Sequence, residues 1–158
     1  MVICDKSGRV LATSNPPDSR IFDGMTIHDA HLAGLELEGI SFNDSDLRGS
    51  DFSGSDLYGA SFMDANCESC KFVGVDLRSS VLYDASFRNS DLSGASFALD
   101  NMGGALALFG VDFSNANLDG ADFSGAVHDE RTVFPQGFDP EERCFPHKAQ
   151  ESSSNTSR

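Results

Sequence analysis

The chain has 158 residues, a length typical of one domain, and its 25 acidic and 11 basic residues give a formal net charge of −14. This acidity excludes a basic patch for nucleic-acid phosphates, so we predict no direct nucleic-acid binding. No apolar run reaches the roughly 18 residues of a membrane helix, and the N-terminal stretch is too polar for a signal peptide, which predicts a cytoplasmic protein without membrane contact.

Residues 1–20 are predicted to form a hairpin-like cap. Two short apolar runs, residues 2–4 and 10–12, flank a turn-forming stretch at residues 5–8, which is the pattern of a β-hairpin. A proline-containing break at residues 15–18 separates this hairpin from the repeats that follow. The end of a repeat array exposes backbone edges and apolar surface, and the hairpin is our candidate to cover them.

Residues 21–127 repeat with a period of five, which fits neither a helix nor a plain strand. Leu or Phe recurs at the centre of each repeat, from Phe22 onwards, and a small residue stands two positions before it. The centres predicted to stack as a core ladder are Phe42, Leu47, Phe52, Leu57, Phe62, Phe72, Leu77, Phe87, Leu92 and Phe97. The frame continues to Met102, slips by one residue near Gly103–Ala105 and resumes at Leu108, which predicts a bulge or a contact loop at the slip.

The residue two positions after each centre is nearly always Gly, Asn, Asp or Ser. These residues tolerate a positive φ, so the chain is predicted to turn once in every repeat. Four turns close a square coil, and residues one coil apart then stack as in a parallel sheet. The small inward serines are expected to bond neighbouring backbone rather than to act as nucleophiles, and they are Ser45, Ser50, Ser55, Ser80 and Ser90.

The repeated motif A/S-D/N-L/F-x-x, present as SDLRG, SDFSG, SDLYG, SDLSG and ADFSG, resembles the pentapeptide-repeat proteins over residues 20–127. The resemblance implies an all-β fold, a right-handed quadrilateral parallel β-solenoid of about five coils of twenty residues, with short terminal caps. After the repeats, residues 128–146 are predicted to be a C-terminal capping segment in which Phe134 and Phe138 plug the open end. Residues 147–158 are predicted to be disordered.

The predicted coils sort the charges onto four faces, numbered one to four from the repeats centred on Phe42, Leu47, Phe52 and Leu57. If the slip leaves the register unchanged, faces one and four hold −10 of the net −13 carried by residues 21–127. The resulting candidate interaction surface consists of Asp44, Asp64, Asp84, Glu36, Glu38, Asp56 and Asp76.

The remaining groups of Cys, Asp and His residues give little indication of catalysis or metal binding. Cys67 and Cys70 have C-x-x-C spacing, but the frame places both inside the coil as buried fillers, and no second pair completes a zinc site. The ladder Asp44, Asp64 and Asp84 could gather cations, although each occupies a position that requires a turn-tolerant residue. The histidines show no spacing for a triad or a metal site. We therefore predict no catalytic residue, no metal and no cofactor.

The leading hypothesis is a non-enzymatic interaction scaffold that presents its acidic face to an unknown protein, as a monomer or weak homodimer. The alternative comes from the resemblance, because some pentapeptide-repeat proteins mimic duplex DNA, occupy DNA gyrase and confer quinolone resistance. Duplex DNA carries about one charge per 1.7 Å, so the charge density of this chain is of the right order. A body about 25 Å long matches only some seven base pairs, which makes it a short mimic.

Overall fold

The computed structural model describes residues 1–14 and 19–144, and the body of the protein is a parallel β-solenoid. Ser41 pairs with both Ile21 and Ser61 in parallel, and Ser61 continues to Val81, so each residue lies beside its counterpart twenty positions away. The bridges are single and recur every five residues, because each side of a coil is too short for a long strand. The predicted break at residues 15–18 and the predicted disordered tail lie outside the described residues.

Two antiparallel strands lie in the N-terminal segment. Strand β1 comprises Val2–Cys4 and strand β2 comprises Val10–Thr13, with Val2 opposite Thr13. The carbonyl oxygen of Cys4 accepts the backbone N–H of His31 at 2.8 Å, and Asp5 forms a bridge with Ala30. The hairpin is therefore hydrogen-bonded to the first coil.

The corners of the coils have the backbone conformation that the sequence predicts. Positive φ recurs at the position two after the centre, including 57° at Asp44, 55° at Asp64 and 56° at Asp84. At most corners the chain closes a tight turn, as where the N–H of Ser50 donates to the carbonyl oxygen of Leu47 at 3.1 Å. The prediction of one turn per repeat is confirmed from Gly24 to Gly94.

The centres of the repeats fill the interior in vertical columns. The predicted ladder residues are all fully buried, and the rings of Phe52 and Phe72 stack with centroids 4.8 Å apart. The predicted role of the small serines is confirmed. The hydroxyl of Ser55, for example, donates to the carbonyl oxygen of Leu32 in the neighbouring coil at 2.7 Å. Packing and hydrogen bonds thus tie each coil to its neighbour.

The slip is larger than the sequence suggested, and Met102 is not a core residue. Its side chain is 91% exposed, and beyond it Asp91 pairs with Asn117 and Ser96 with Asp122, twenty-six residues apart instead of twenty. Residues 99–104 form an inserted segment, which we call the corner loop, and the chain leaves the coil after Leu99. The carboxylate of Asp100 closes it by accepting the N–H groups of Met102 and Gly104 at 2.9 and 2.7 Å.

The corner loop rotates the register of everything that follows it. Leu108 stacks in the column of Leu82, because the N–H of Asp84 donates to the carbonyl oxygen of Phe109 at 3.0 Å. Phe123 stacks on Phe97 at 4.4 Å, so it belongs to face four, whereas an unchanged register would place it on face one. The expectation that the slip preserves the register is therefore wrong.

Aromatic rings cover the C-terminal end of the solenoid. Phe134 stacks on Phe113 at 5.8 Å and on Phe138 at 4.6 Å, and Phe138 meets Phe123 edge to face at 5.1 Å. The chain then forms the short helix α1, Pro140–Arg143, whose first turn is capped by the side chain of Asp139. Among the described residues, no helix has the length and apolar character needed to cross a bilayer.

Candidate interaction surface

The corrected register keeps the acidic bias on faces one and four but weakens it. For residues 21–127, these two faces carry nine acids and one base, which are Asp23, Asp44, Asp64, Asp84, Glu36, Glu38, Asp56, Asp76, Asp122 and Arg78. Faces two and three carry seven acids and three bases, which are Asp29, Asp46, Glu68, Asp112, Asp51, Asp91, Asp119, Arg48, Arg88 and Lys71. Asp100 lies in the corner loop. Asp119 lies on face three and Asp122 on face four, whereas an unchanged register would place them on faces four and one. The imbalance is a net −8 against −4.

Asp44, Asp64 and Asp84 form one vertical column at the corner between faces one and two. All three side chains are exposed, and their positive φ explains why a turn-tolerant residue stands there. Asp84 differs from the other two because its carboxylate is ion-paired with Arg131 from the C-terminal segment. Only Asp44 and Asp64 of this column lack a cation within salt-bridge distance among residues 1–14 and 19–144.

On face four, the four predicted residues divide into two pairs. Glu36 and Glu38 are exposed, and no described cation lies within salt-bridge distance of either carboxylate. Asp56 and Asp76 are half-buried, and Asp56 accepts the backbone N–H of Tyr58 at 2.9 Å. Asp76 accepts the N–H of Arg78 and pairs with its guanidinium at 2.6 Å, and this hydrogen bond lowers the pKa of the Asp76 carboxyl.

The role of Asp56 and Asp76 recurs throughout the solenoid, and our reading of the sequence missed it. The Asp or Asn just before a centre accepts the N–H two residues further on, and thereby fixes the approach to the corner. The same bond is made by Asp46, Asp51, Asn66, Asp91, Asp112, Asn117 and Asp122. The repeated S-D-L-x-G pattern carried this signal, because Asp and Asn favour such local turns. These carboxylates are structural as well as charged.

Face one also carries an apolar column beside its acids. Met63 and Tyr83 are 38% and 39% exposed, and Tyr83 stacks on half-buried Phe109 with centroids 5.9 Å apart. These three residues, which we call the face-one strip, occupy the position just after the centre in successive coils. On the other faces this position holds mainly charged or small side chains. Asp64 follows Met63 directly and borders the strip, and Asp44 follows Asn43 one coil before the strip begins.

The cysteines and histidines form no cluster suited to a metal in the part of the chain that the structure describes. Cys67 and Cys70 are buried, and burial raises the pKa of the Cys67 thiol well above its usual range. The thiol of Cys70 donates a buried hydrogen bond to the carbonyl oxygen of Leu47, with Sγ and oxygen 3.1 Å apart. His28 pairs with Asp46 at 2.9 Å on face two, and His147 lies outside the described residues.

Comparison with known proteins places the chain in a family. The family model for pentapeptide repeats matches residues 27–62, 60–97 and 108–127, with eight copies of the repeat. The gap between the last two segments coincides with the corner loop. The chain therefore belongs to the pentapeptide repeat family, which agrees with its motif and its β-solenoid fold. No curated protein sequence matches the chain.

Several solved structures of pentapeptide repeat proteins are similar. A protein (Rfr23) from the cyanobacterium Cyanothece 51142 is 17% identical, with 73% of this chain and 91% of that chain covered and a TM-score of 0.43. A protein from Nostoc PCC 7120 is 30% identical over 78% and 81% of the two chains, with a TM-score of 0.29. QnrB1, a plasmid-mediated fluoroquinolone resistance protein, is 18% identical over 70% and 83%, with a TM-score of 0.22.

Proposed function

We propose that the protein is a non-enzymatic interaction scaffold whose faces one and four bind a partner protein. The observation that carries this proposal is the coincidence, on face one, of exposed unpaired carboxylates with the exposed face-one strip. Charged borders steer and orient a partner, and apolar surface supplies affinity when it is buried. We further propose that the solenoid is right-handed and quadrilateral, and that its two terminal segments cap it.

The charges on the two pairs of faces support this choice of surface. On faces two and three, several acids are neutralised locally, as in the pairs of Asp46 with Arg48 at 2.7 Å and Asp112 with Arg88 at 3.1 Å. Among the described residues, no cation lies within salt-bridge distance of the carboxylates of Glu36, Glu38, Asp44 or Asp64. Arg20 is bound beside the two glutamates, but its guanidinium donates to their backbone carbonyl oxygens at 3.2 and 2.9 Å. The field of the four carboxylates reaches outward to a basic surface over about a Debye length, roughly 8 Å at physiological ionic strength.

The test is quantitative affinity capture from a lysate of the source organism with two charge variants. The first variant removes four carboxylates from faces one and four through the substitutions Glu36→Gln, Glu38→Gln, Asp44→Asn and Asp64→Asn. The matched control removes four exposed or half-exposed carboxylates elsewhere through Asp29→Asn, Glu68→Gln, Asp119→Asn and Glu142→Gln. We expect the first variant to lose the captured partner and the control to retain it. Equal loss in both variants would contradict the proposal, because total charge rather than these faces would then decide binding.

The DNA-mimicking inhibitor or protector of a type II topoisomerase such as DNA gyrase remains the second candidate. The favouring observation is the row of carboxylates Glu36, Asp56 and Asp76, which successive parallel bridges align along face four. The spacing between coils is about 4.8 Å, whereas phosphates of one DNA strand are about 3.4 Å apart along the axis. Sedimentation velocity with DNA gyrase at low and high salt tests this function. Salt-sensitive co-sedimentation would favour the mimic, and its absence would remove it.

A further inference from the structure

We infer that face one binds an amphipathic α-helix of a partner protein, with an apolar stripe on the face-one strip and basic residues against Asp44 and Asp64. This inference rests on the proposed scaffold function and names the chemistry of its partner. The strip supplies three large apolar side chains in line, and the neighbouring column supplies unpaired carboxylates along one edge. The two rows run parallel along the rod and overlap at the coil of Met63 and Asp64, so an occupant that extends one coil beyond the strip meets both carboxylates.

The spacing of the strip favours a helix over a strand. Met63, Tyr83 and Phe109 stand on successive coils, so neighbouring side chains are about 4.8 Å apart and the three span about 10 Å. Helical residues at i, i+4 and i+7 span about 10.5 Å on one face, close to this length. Same-side residues of an extended strand recur about every 6.7 Å and fall out of step with the strip after one coil.

The edges of face one restrict where such a helix lies. On one edge lies the corner loop, whose Asp100 accepts a hydrogen bond from Ser79 at the corner before Tyr83, and whose Met102 is the most exposed large apolar residue in the described part of the chain. On the opposite edge stand Asp44 and Asp64. A helix on the strip therefore has an apolar flank toward Met102 and a basic flank toward the carboxylates. Asp84, held by Arg131, contributes less charge at the C-terminal end.

The experiment measures binding of a defined helical probe to the full chain by fluorescence anisotropy. The probe is an 18-residue fluorescein-labelled peptide of Leu, Ala and Lys, with the Leu residues in one stripe and the Lys residues on one flank. Two control peptides have the same Leu residues scattered, or Glu in place of Lys. We expect the full chain to bind the striped basic peptide at least about tenfold more tightly than either control, a difference of about 1.4 kcal/mol.

Variants of the chain locate the binding site. Met63→Ser with Tyr83→Ser should weaken binding of the striped peptide at least about tenfold. Val73→Ser is the matched control, because Val73 is 38% exposed at the equivalent position on face three, and it should leave the affinity unchanged. Asp44→Asn with Asp64→Asn should weaken binding in low salt more than in high salt, whereas Asp29→Asn should not. Asn preserves the turn conformation at each of these positions, so the fold is retained.

Four outcomes overturn the inference. Equal affinity for striped and scattered peptides would show non-specific attraction to an acidic protein. Equal loss in the Val73→Ser variant would remove face one as the site. A homodimer that dissociates on the Tyr83→Ser substitution, detected by sedimentation velocity, would assign the strip to a second copy. If the peptide fails to bind but the face-one and face-four charge variant still loses its captured partner, the scaffold proposal stands and the helix is wrong.

Discussion

At the scale of single residues, the acids of this chain perform two different tasks. Those just before a centre, such as Asp76, accept a backbone N–H and set up a corner. Those two after a centre, such as Asp64, occupy a corner with positive φ and leave their carboxylates in solvent. Asp therefore has a role in backbone geometry at both positions, but of these two carboxylates that of Asp64 is exposed to solvent, whereas that of Asp76 is half-buried.

The corner position predicts an unusual order of stabilities for substitutions of Asp64. Asp64→Val should lower the free energy of unfolding by about 1–2 kcal/mol, because a β-branched residue is strained at positive φ. Asp64→Gly should change it by less than about 0.5 kcal/mol. Urea unfolding followed by circular dichroism measures both. Met63→Val, at the adjacent exposed position, is the control for adding a valine, and an equal loss there would contradict the explanation by φ.

The hydrogen-bonded carboxylates predict the direction of the pH dependence. Hydrogen bonds from Arg78 to Asp76 and from Ser124 to Asp122 lower the pKa values of these carboxyls below their ordinary range. A group with a lowered pKa stabilises the folded state above about pH 4 and loses this contribution as the pH falls through its folded value. We therefore expect the free energy of unfolding to decrease below about pH 4, measured by urea unfolding at each pH.

Relief of charge repulsion acts in the opposite direction, since protonation reduces the large net negative charge. A rise in stability on acidification would mean that repulsion dominates over these hydrogen bonds. Asp76→Asn keeps an acceptor for the N–H of Arg78 but removes the titrating group, so its acid-induced loss should be smaller than that of the parent chain.

At the scale of elements, the corner loop is an insertion that the solenoid bypasses. The N–H of Leu99 donates to the carbonyl oxygen of Ser124 at 3.0 Å before the chain departs, and Leu106 is again buried in the wall after it returns. Leu99 also fills the space over Gly125, where any Cβ would overlap the Leu99 side chain. The loop is anchored at its base but contributes no centre to the core.

Removing the loop should leave the fold intact. Deleting residues 99–104 and substituting Ala105→Gly places a glycine two positions after Phe97 and Leu108 five positions after it, which restores an uninterrupted repeat. A shorter connection costs less closure entropy, so we expect an unchanged circular dichroism spectrum and a melting temperature no lower than that of the parent. Deleting five residues instead of six is the control, because it breaks the phase. Loss of cooperative unfolding in the six-residue deletion would contradict the bypass.

At the scale of the whole molecule, stability is a sum of contacts between neighbouring coils. Phe72, in the middle of the rod, contacts Phe52 below it, Phe62 beside it and Phe87 beyond it at 4.8, 5.9 and 5.2 Å between ring centroids. Phe22 belongs to the first coil and has one aromatic neighbour among the described residues, Phe42 at 5.6 Å. Position along the rod should therefore decide how much a core substitution costs.

Phe72→Ala should lower the free energy of unfolding by about 3–5 kcal/mol, because it removes contacts on both sides and leaves a cavity. Phe22→Ala should cost less, since the first coil stacks on another coil on one side only and is bonded on the other to the two-stranded hairpin, which brings no aromatic ring to Phe22. Urea unfolding of both variants tests the order. A larger loss for Phe22→Ala would contradict the model of nearest-neighbour coils and would make the first coil the nucleus of the fold.

Much of this architecture could be predicted from the sequence, because the five-residue period acts locally. The buried centres, the corners such as Asp44 and the backbone bonds of Ser55 all follow from one repeat considered alone. The register after the corner loop could not be predicted from the sequence. An insertion of six residues shifts a five-residue repeat by one position, as a single extra residue would, so the two cannot be told apart by the pattern alone. The pairing of Asp84 with Arg131 was equally hidden, since it joins residues 47 positions apart.

The single-file connection of coils has a mechanical consequence. If the two termini are pulled apart, each coil can detach only after its outer neighbour, so the rod should peel in discrete steps. A coil of twenty residues releases about 70 Å of extended chain, and the stretch that includes the corner loop releases about 90 Å. A force–extension trace should therefore show a series of unfolding steps of equal length with one longer step, which corresponds to the corner loop. The place of the longer step in the series would show from which end the rod unfolds.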